Sequence, residues 1–165
     1  MDFSPQPEHE AIRKAIRAIM ADYPDDYWSA KDQAHEFPWE FYRAMATGGW
    51  LGTAIPQEYG GSGLGVTEAA IVLEEVAASG AAMNGASAIH ISMFGINPVI
   101  KHGSDAMRRE WVPRVVTGEV HVCFGVSEPD LGTDIARVRT RAVRRGDHYV
   151  VDGRKTWLTK ASESR

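Results

Sequence analysis

The spacing of apolar residues changes along this chain, and no other feature of the sequence constrains the fold as much. Before residue 119, apolar residues recur every three or four positions, the period of an amphipathic helix. After it the period becomes two, because Val120, Val122, Phe124 and Val126 alternate with polar or small residues. We therefore predict an α+β chain, with an all-α helical bundle domain over residues 1–119 and the first strands of an antiparallel β domain over residues 120–165.

The first two helices are set by their ends. Ser4 and Pro5 begin a helix over residues 5–21, because serine accepts a bond from a free N–H and proline is tolerated in the first turn. A polar link follows. The second helix covers residues 39–47, and the glycine pair after it provides the stop.

Three further features place the remaining helices. Thr67 is positioned to cap the third helix. Residues 81–102 are apolar on most sides, which predicts one continuous buried helix. Ser104 caps the last helix, which Pro113 kinks or restarts.

The last part of the chain predicts about four strands. After the strand at 120–126, residues 135–143 alternate again, with three arginines on one face. "HYVV" and "KTWLT" have strand-like composition and are separated by a "DG" turn signal. A solvated strand face is favoured for the arginines over a site for an anion.

Composition excludes several classes of function. A net charge of -4 argues against nucleic-acid binding, which needs an excess of Lys and Arg. The single cysteine, Cys123, rules out a disulfide framework and suggests a reducing compartment. No apolar run is long enough to cross a bilayer, and the first residues lack the features of a signal peptide. We therefore expect a cytoplasmic protein without membrane contact.

Two candidate sites have ordinary explanations. The stretch "YGGSGLG" lacks the spacing and the preceding strand of a dinucleotide fingerprint, so it is interpreted as a connecting loop. The six histidines and Cys123 show no metal-ligand spacing, and no metal is expected.

The stretch "FGVSEPDLGTD" is too long and too polar for a tight hairpin turn. It occupies residues 124–134, where Ser127 and Thr133 provide hydroxyls at the two ends. Gly132 allows backbone to approach a ligand closely. Polar loops held by a rigid sheet often bind ligands.

A second stretch, "KTWLT", provides the aromatic Trp157 and the hydroxyl of Thr159. Together the two stretches could enclose a flat ligand that forms hydrogen bonds. An ordinary loop and an ordinary core tryptophan are the alternative.

These stretches resemble the signatures of the acyl-CoA dehydrogenases. "FGVSEPDLGTD" is similar to one signature loop of that family, and "GDHYVVDGRKTWLTKA" to the next. "AIPQEYGGSGLG", "VLEEVAASG" and "WVPRVVTGEV" resemble its helical domain, in the same order. The resemblance implies an FAD-dependent acyl-CoA dehydrogenase that catalyses α,β-dehydrogenation of an acyl-CoA thioester, in which FAD lies between the middle β domain and a C-terminal helical bundle.

The resemblance also implies roles for individual residues. Ser127 would bond the pyrimidine edge of the flavin, Thr133 would also touch the CoA moiety, and Thr159 would lie near flavin N5. His90, within a segment 86–95 that forms the floor of the acyl site, would contact the substrate. The full set of expected cofactor-binding residues is Phe124, Gly125, Val126, Ser127, Gly132, Thr133, Trp157, Leu158 and Thr159.

The sequence departs from the family at Asp130 and Leu131, which replace small residues, and at Lys160, where asparagine is frequent. The family's catalytic base lies in the C-terminal bundle, so we expect no catalytic residue here and no turnover by these 165 residues alone. Glu128 belongs to the flavin loop and is not assigned as the base.

The expected partners are an electron-transfer flavoprotein or a similar acceptor, and further copies of the full-length chain in a homotetramer. Two other functions stay open: a flavin-dependent monooxygenase or nitroalkane oxidase on the same scaffold, and a non-catalytic helical interaction module.

Overall fold

The computed structural model describes residues 6–164, and the predicted cap residues Ser4 and Pro5 lie outside this range. Helices come first and strands last, which confirms the α+β prediction. The helices are, in chain order, α1 (Pro7–Met20), α2 (Asp25–Ala34), α3 (Trp39–Thr47), α4 (Val66–Val76), α5 (Ala82–Gly95), α6 (Asn97–His102) and α7 (Asp105–Val116). The antiparallel strands are β1 (Arg141–Arg145) and β2 (His148–Asp152).

Local capping signals predicted some helix ends and missed others. The limits of α3 are those predicted, and Ser104 caps α7 by accepting a hydrogen bond from the Met107 amide at 3.2 Å. The predicted cap at Thr67 is wrong, because Thr67 already lies inside α4. Gly65 is the cap residue there, and its amide donates to Glu68 Oε2 at 2.7 Å.

The sequence predicts only a polar link where α2 forms. Pro24 precedes it, and Asp25 and Asp26 occupy its first turn, where carboxylates interact favourably with the free N–H groups. Trp28 is its one buried residue, with 5% of its surface exposed, and the indole donates to the Tyr23 carbonyl at 2.9 Å. One large anchor, rather than an apolar stripe, fixes this helix.

The prediction of one continuous helix over residues 81–102 is wrong. A π-helical turn (Ala77–Ala81) precedes α5, and α6 is a separate helix with proline in its first turn. Since proline cannot donate a backbone hydrogen bond, the chain breaks between α5 and α6. The helix α7, by contrast, continues through Pro113 to Val116, so Pro113 does not restart it.

The described chain divides into two compact parts between Val122 and Cys123. They are named here the helical unit (residues 6–122) and the loop unit (residues 123–164). The helical unit contains two clusters of buried apolar side chains, and each fully buried large side chain contributes roughly 1.5–3 kcal/mol. The larger cluster includes Ile16, Trp28, Phe41, Tyr42, Met45, Leu51, Val72, Val76 and Ile89, and the smaller includes Ile55, Ile96, Val112, Val115, Val116 and Val120.

A buried carboxylate joins α1 to α4 inside the helical unit. Glu75 is 6% exposed and accepts hydrogen bonds from Arg17 Nε at 2.6 Å and Arg13 Nη1 at 2.6 Å. The bonds from Arg17 and then Arg13 lower the pKa of Glu75 below its ordinary value.

The loop unit has less regular structure than the sequence predicts. Residues 121–127 form no strand, and "KTWLT" is irregular, because neither joins a ladder of backbone hydrogen bonds within residues 6–164. The stretch 135–143 begins with a 3₁₀ turn (Ile135–Arg137) and becomes strand only at Arg141, so its three arginines do not share a strand face. All residues of β1 and β2 are exposed.

Among the helices of residues 6–164, none combines the length and the apolar composition needed to cross a bilayer. The cytoplasmic location stays a prediction.

Candidate functional site

The loop 124–134 and the segment 155–159 lie side by side in the loop unit. The Thr156 amide donates to the Ser127 carbonyl at 2.9 Å, and Lys155 Nζ donates to the Val126 carbonyl at 2.9 Å. Gly125 is so close to Leu158 that an added methyl group would lie 3.3 Å from it. The structure therefore brings together the two stretches that the sequence singled out.

These stretches present an aromatic ring and free hydroxyls. Trp157 is 88% exposed, so it is not an ordinary core tryptophan. Within residues 6–164, the hydroxyls of Ser127, Thr133 and Thr159 have no hydrogen-bond partner. Phe124 is 40% exposed. Exposed rings and free hydroxyls suit a planar ligand that forms hydrogen bonds.

Gly132 and Thr133 follow a tight turn. Glu128 and Leu131 exchange backbone hydrogen bonds at 2.9 and 3.0 Å, which closes the chain on itself just before Gly132. Both Gly132 and Thr133 are exposed, and an added Cβ at Gly132 would meet open space. A ligand could therefore approach the backbone here closely.

The sequence places Glu128 in this loop but does not predict its contacts. Glu128 is only 7% exposed, and its carboxylate accepts hydrogen bonds from Thr140 Oγ1 at 2.6 Å, the Thr140 amide at 2.9 Å, the Arg139 amide at 2.9 Å and Lys155 Nζ at 3.1 Å. The bond from Thr140 Oγ1 and the two amide bonds lower the pKa of Glu128 to about 2.

The backbone adopts an unusual conformation at Trp157 and at Lys160, the residue after segment 155–159. Trp157 and Lys160 have φ angles of 56° and 60°, the left-handed region that side chains other than glycine rarely occupy. Burial lowers the pKa of Lys160 to about 8. The departure from asparagine therefore places an amine here that loses its charge at mildly alkaline pH.

His90, the predicted substrate residue, lies in the helical unit beside a groove of about 360 Å³. The groove is largely apolar, with Leu73, Met93 and Ile100 in its lining. The imidazole packs on Phe94 with ring centres 4.3 Å apart, and desolvation lowers the pKa of His90. At neutral pH the groove therefore presents a neutral imidazole among apolar side chains.

A second concave site, of about 320 Å³, lies beside Glu128 in the loop unit. Asp130 and Arg139, which line it, form an ion pair at 3.3 Å. Both side chains are about three-quarters exposed, so the pair is weak and the charges balance.

The stretch "YGGSGLG" uses its backbone donors internally. The amides of Ser62, Gly63 and Leu64 donate to carbonyls of residues 52–55 at 2.9 to 3.0 Å. An added Cβ at Gly61 would collide with the Ile55 carbonyl, so only glycine fits there. This arrangement agrees with a connecting loop. In residues 6–164, no cluster of three His, Cys, Asp or Glu residues could hold a metal ion.

Comparison with known proteins adds independent findings. The protein is 32% identical over 168 residues to the glutaryl-CoA dehydrogenase of Desulfococcus multivorans, an alignment covering 99% of this chain and 43% of that protein. It is 31% identical over 160 residues to the acyl-CoA dehydrogenase FadE12 of Mycobacterium tuberculosis, covering 96% of this chain and 40% of that protein.

A solved structure gives the same result in three dimensions. The glutaryl-coenzyme A dehydrogenase glutaryl-CoA complex superimposes with a TM-score of 0.86 at 31% identity, over 99% of this chain and 42% of that one. This chain therefore spans about 40% of the length of the curated relatives it matches.

Residues 6–119 match the acyl-CoA dehydrogenase N-terminal domain, and residues 123–165 match the acyl-CoA dehydrogenase middle domain. The two matches occur in the family's order and cover nearly the whole sequence. The chain belongs to the acyl-CoA dehydrogenase family.

Proposed function

We propose that these residues are the N-terminal, flavin-contacting part of an FAD-dependent acyl-CoA dehydrogenase that removes the α and β hydrogens of an acyl-CoA thioester. The observation that carries the proposal is the pairing of loop 124–134 with segment 155–159, joined by the bond from the Thr156 amide to the Ser127 carbonyl. In a chain of this family, two such stretches with free hydroxyls and an exposed indole suit a flavin.

The residues of the loop unit fit FAD. Ser127 would donate to or accept from the pyrimidine edge, and Trp157 and Leu158 would cover the ring, with Thr159 near N5. Backbone at Gly125, Val126 and Gly132 would lie close to the cofactor, and Phe124 and Thr133 would complete its surroundings. Bound FAD would supply the two-electron acceptor, because its N5 accepts the β hydrogen as hydride.

Glu128 is unsuited to act as the base that removes the α proton. Its carboxylate already accepts hydrogen bonds from two amides, a hydroxyl and an ammonium group, and its pKa is about 2. A base for this reaction needs a pKa closer to the working pH and a free lone pair aimed at the substrate. We therefore assign no catalytic base among these residues. In the proposal, the base is a residue of the C-terminal bundle that the family has.

The proposed substrate is an acyl-CoA thioester. The largely apolar groove beside His90 supports a site for an acyl tail, since neutral imidazole and aliphatic side chains would accept a hydrocarbon chain. Thr133 would contact the CoA moiety. The relatives include a glutaryl-CoA dehydrogenase, and the substrate class extends to this chain only as part of the proposal.

We further propose an electron-transfer flavoprotein or similar protein as the acceptor, and a homotetramer as the assembly of the full-length protein. Both follow from the family rather than from any feature of the described residues.

The proposal is tested with the full-length protein that carries this sequence. Purified protein should be yellow, and one member of a panel of acyl-CoA thioesters should bleach the flavin absorbance under anaerobic conditions. Bleaching by a nitroalkane, or flavin oxidation linked to oxygen insertion with no response to acyl-CoA, would contradict the proposal in favour of another flavin enzyme. A colourless protein that binds no FAD would favour a helical interaction module. The 165-residue chain alone should show no turnover in the same assay.

A further inference from the structure

We propose that Glu128 and Lys155 are positioning residues, which hold loop 124–134 and segment 155–159 in register so that both can contact the same flavin. The inference rests on the proposed function, which gives Glu128 and Lys155 no role, and assigns a role to both.

The Glu128 carboxylate connects three segments that are distant in sequence. It is buried in loop 124–134, accepts hydrogen bonds from the two residues before β1, Arg139 and Thr140, and pairs with Lys155 after β2. Bonds to a charged acceptor are about twice as strong as neutral ones, so this carboxylate is the main polar connection among the three segments.

Lys155 is the second half of the connection. Its ammonium group donates both to Glu128 Oε1 at 3.1 Å and to the Val126 carbonyl at 2.9 Å, and its side chain is 26% exposed. Val126 precedes Ser127, and Lys155 lies two positions before Trp157. Lys155 therefore sets the distance between Ser127 and Trp157, the two residues that the proposal places on the flavin.

The residue after Lys155 forms a second connection between the two stretches. The Thr156 amide donates to the Ser127 carbonyl at 2.9 Å. If Lys155 lost its charge, Glu128 would keep a buried negative charge with only amide and hydroxyl donors, a costly state. The stretches should then separate, and the Thr156 amide should become exposed to water.

The experiment compares Lys155→Met, Lys155→Arg, Glu128→Gln and the exposed control Lys14→Met in the full-length protein. Hydrogen exchange at the Thr156 amide reports the register directly. The dissociation constant for FAD, from flavin fluorescence, reports the consequence for the cofactor. Far-UV circular dichroism confirms that each variant is folded.

We expect Lys155→Met to accelerate exchange at Thr156 and to weaken FAD binding by about tenfold or more, the loss of roughly one charge-assisted hydrogen bond. Glu128→Gln should act in the same direction, and Lys155→Arg, which keeps the charge, should recover part of the loss. Lys14→Met should match the wild type in both measurements.

The outcomes separate the two proposals. If the wild type binds FAD and Lys155→Met and Glu128→Gln bind it equally well, the positioning role is wrong and the proposed function stands. Unchanged exchange at Thr156 in both variants also overturns the role. A wild-type protein that binds no FAD overturns the proposed function and this role with it. If Lys155→Met fails to fold, Glu128→Gln and Lys155→Arg decide the question.

Discussion

Different interactions stabilise the helical unit and the loop unit. The helical unit has two apolar clusters, in which Phe41, Tyr42 and Val112 are fully buried, and the buried carboxylate of Glu75 adds ion pairs between α1 and α4. In the loop unit, both strands are exposed and the best-buried side chain of those described is a carboxylate, Glu128. The stability of a unit with an apolar core should depend on the volume of its buried side chains. The stability of a unit organised around a buried charge should depend on pH.

Truncation of the apolar core should give the largest effect. Phe41 is 0% exposed and packs edge-on against Trp28 at 5.1 Å and Tyr23 at 5.5 Å. Phe41→Ala should lower the free energy of unfolding of the helical unit by about 3–5 kcal/mol, because a cavity remains where the ring was. Urea denaturation followed by far-UV circular dichroism measures the change.

The matched truncation in the loop unit is Val143→Ala on β1, where the side chain is 48% exposed. It should change stability by less than about 0.5 kcal/mol. Equal losses for the two variants would contradict the contrast between the units.

Acid should loosen the loop unit through Glu128. The folded-state pKa of about 2 lies below the ordinary 4.5, so the carboxylate stabilises the fold above pH 4.5. That contribution is lost as the pH falls from about 4.5 toward 2. Hydrogen exchange at the Arg139 and Thr140 amides should therefore accelerate across this range, measured relative to exposed amides at each pH.

The variant Glu128→Gln serves as the control for the acid prediction, since it cannot titrate. Its exchange at Arg139 and Thr140 should already be faster at neutral pH and should show no further transition between pH 4.5 and 2. A transition of the wild-type size in Glu128→Gln would assign the acid sensitivity to another group. In the helical unit, the pKa values of Glu40, Glu68 and Glu75 are also lowered by their hydrogen bonds, and Glu75 is the buried one of these three.

Alkali should have the opposite effect at Lys160. Its folded-state pKa of about 8 lies below the ordinary 10.5, because burial disfavours the charged amine. Stability should therefore rise as the pH increases from about 8 to 10.5. Lys160→Met should be more stable than the wild type at pH 7, and the difference in melting temperature should shrink above pH 8. A difference independent of pH would contradict the assignment to this amine.

A small effect on stability is also expected at Thr156. Its Oγ1 is buried and, within the described residues, has no hydrogen-bond partner. Thr156→Val replaces the hydroxyl by a methyl group of similar shape, which should leave stability unchanged or raise it by up to about 1 kcal/mol. Thermal unfolding measures the effect, with Thr159→Val as the exposed control. A clear loss of stability would show that the hydroxyl has a structural partner.

Features that depend on neighbours in sequence could be predicted, and features that depend on distant contacts could not. The limits of α3 and the cap at Ser104 follow from a few adjacent residues, and both were predicted. Alternation in residues 120–126 indicates a strand but cannot supply the partner that a strand requires, so that prediction was wrong.

The candidate site shows the same division. The composition of loop 124–134 and the exposed Trp157 could be singled out from sequence, because polar loops and aromatic residues suit ligand binding. The role of Glu128 depends on Lys155, 27 residues away, and on the amides of residues 139 and 140. A single sequence contains no signal that pairs these groups.

The most direct test of the account is an experimental structure of the full-length protein with FAD bound. The account predicts the isoalloxazine ring between loop 124–134 and segment 155–159, with the Trp157 side chain in van der Waals contact and Ser127 Oγ within about 3 Å of the pyrimidine edge. Flavin bound elsewhere on the protein, with Ser127 and Trp157 both exposed to solvent, would contradict it.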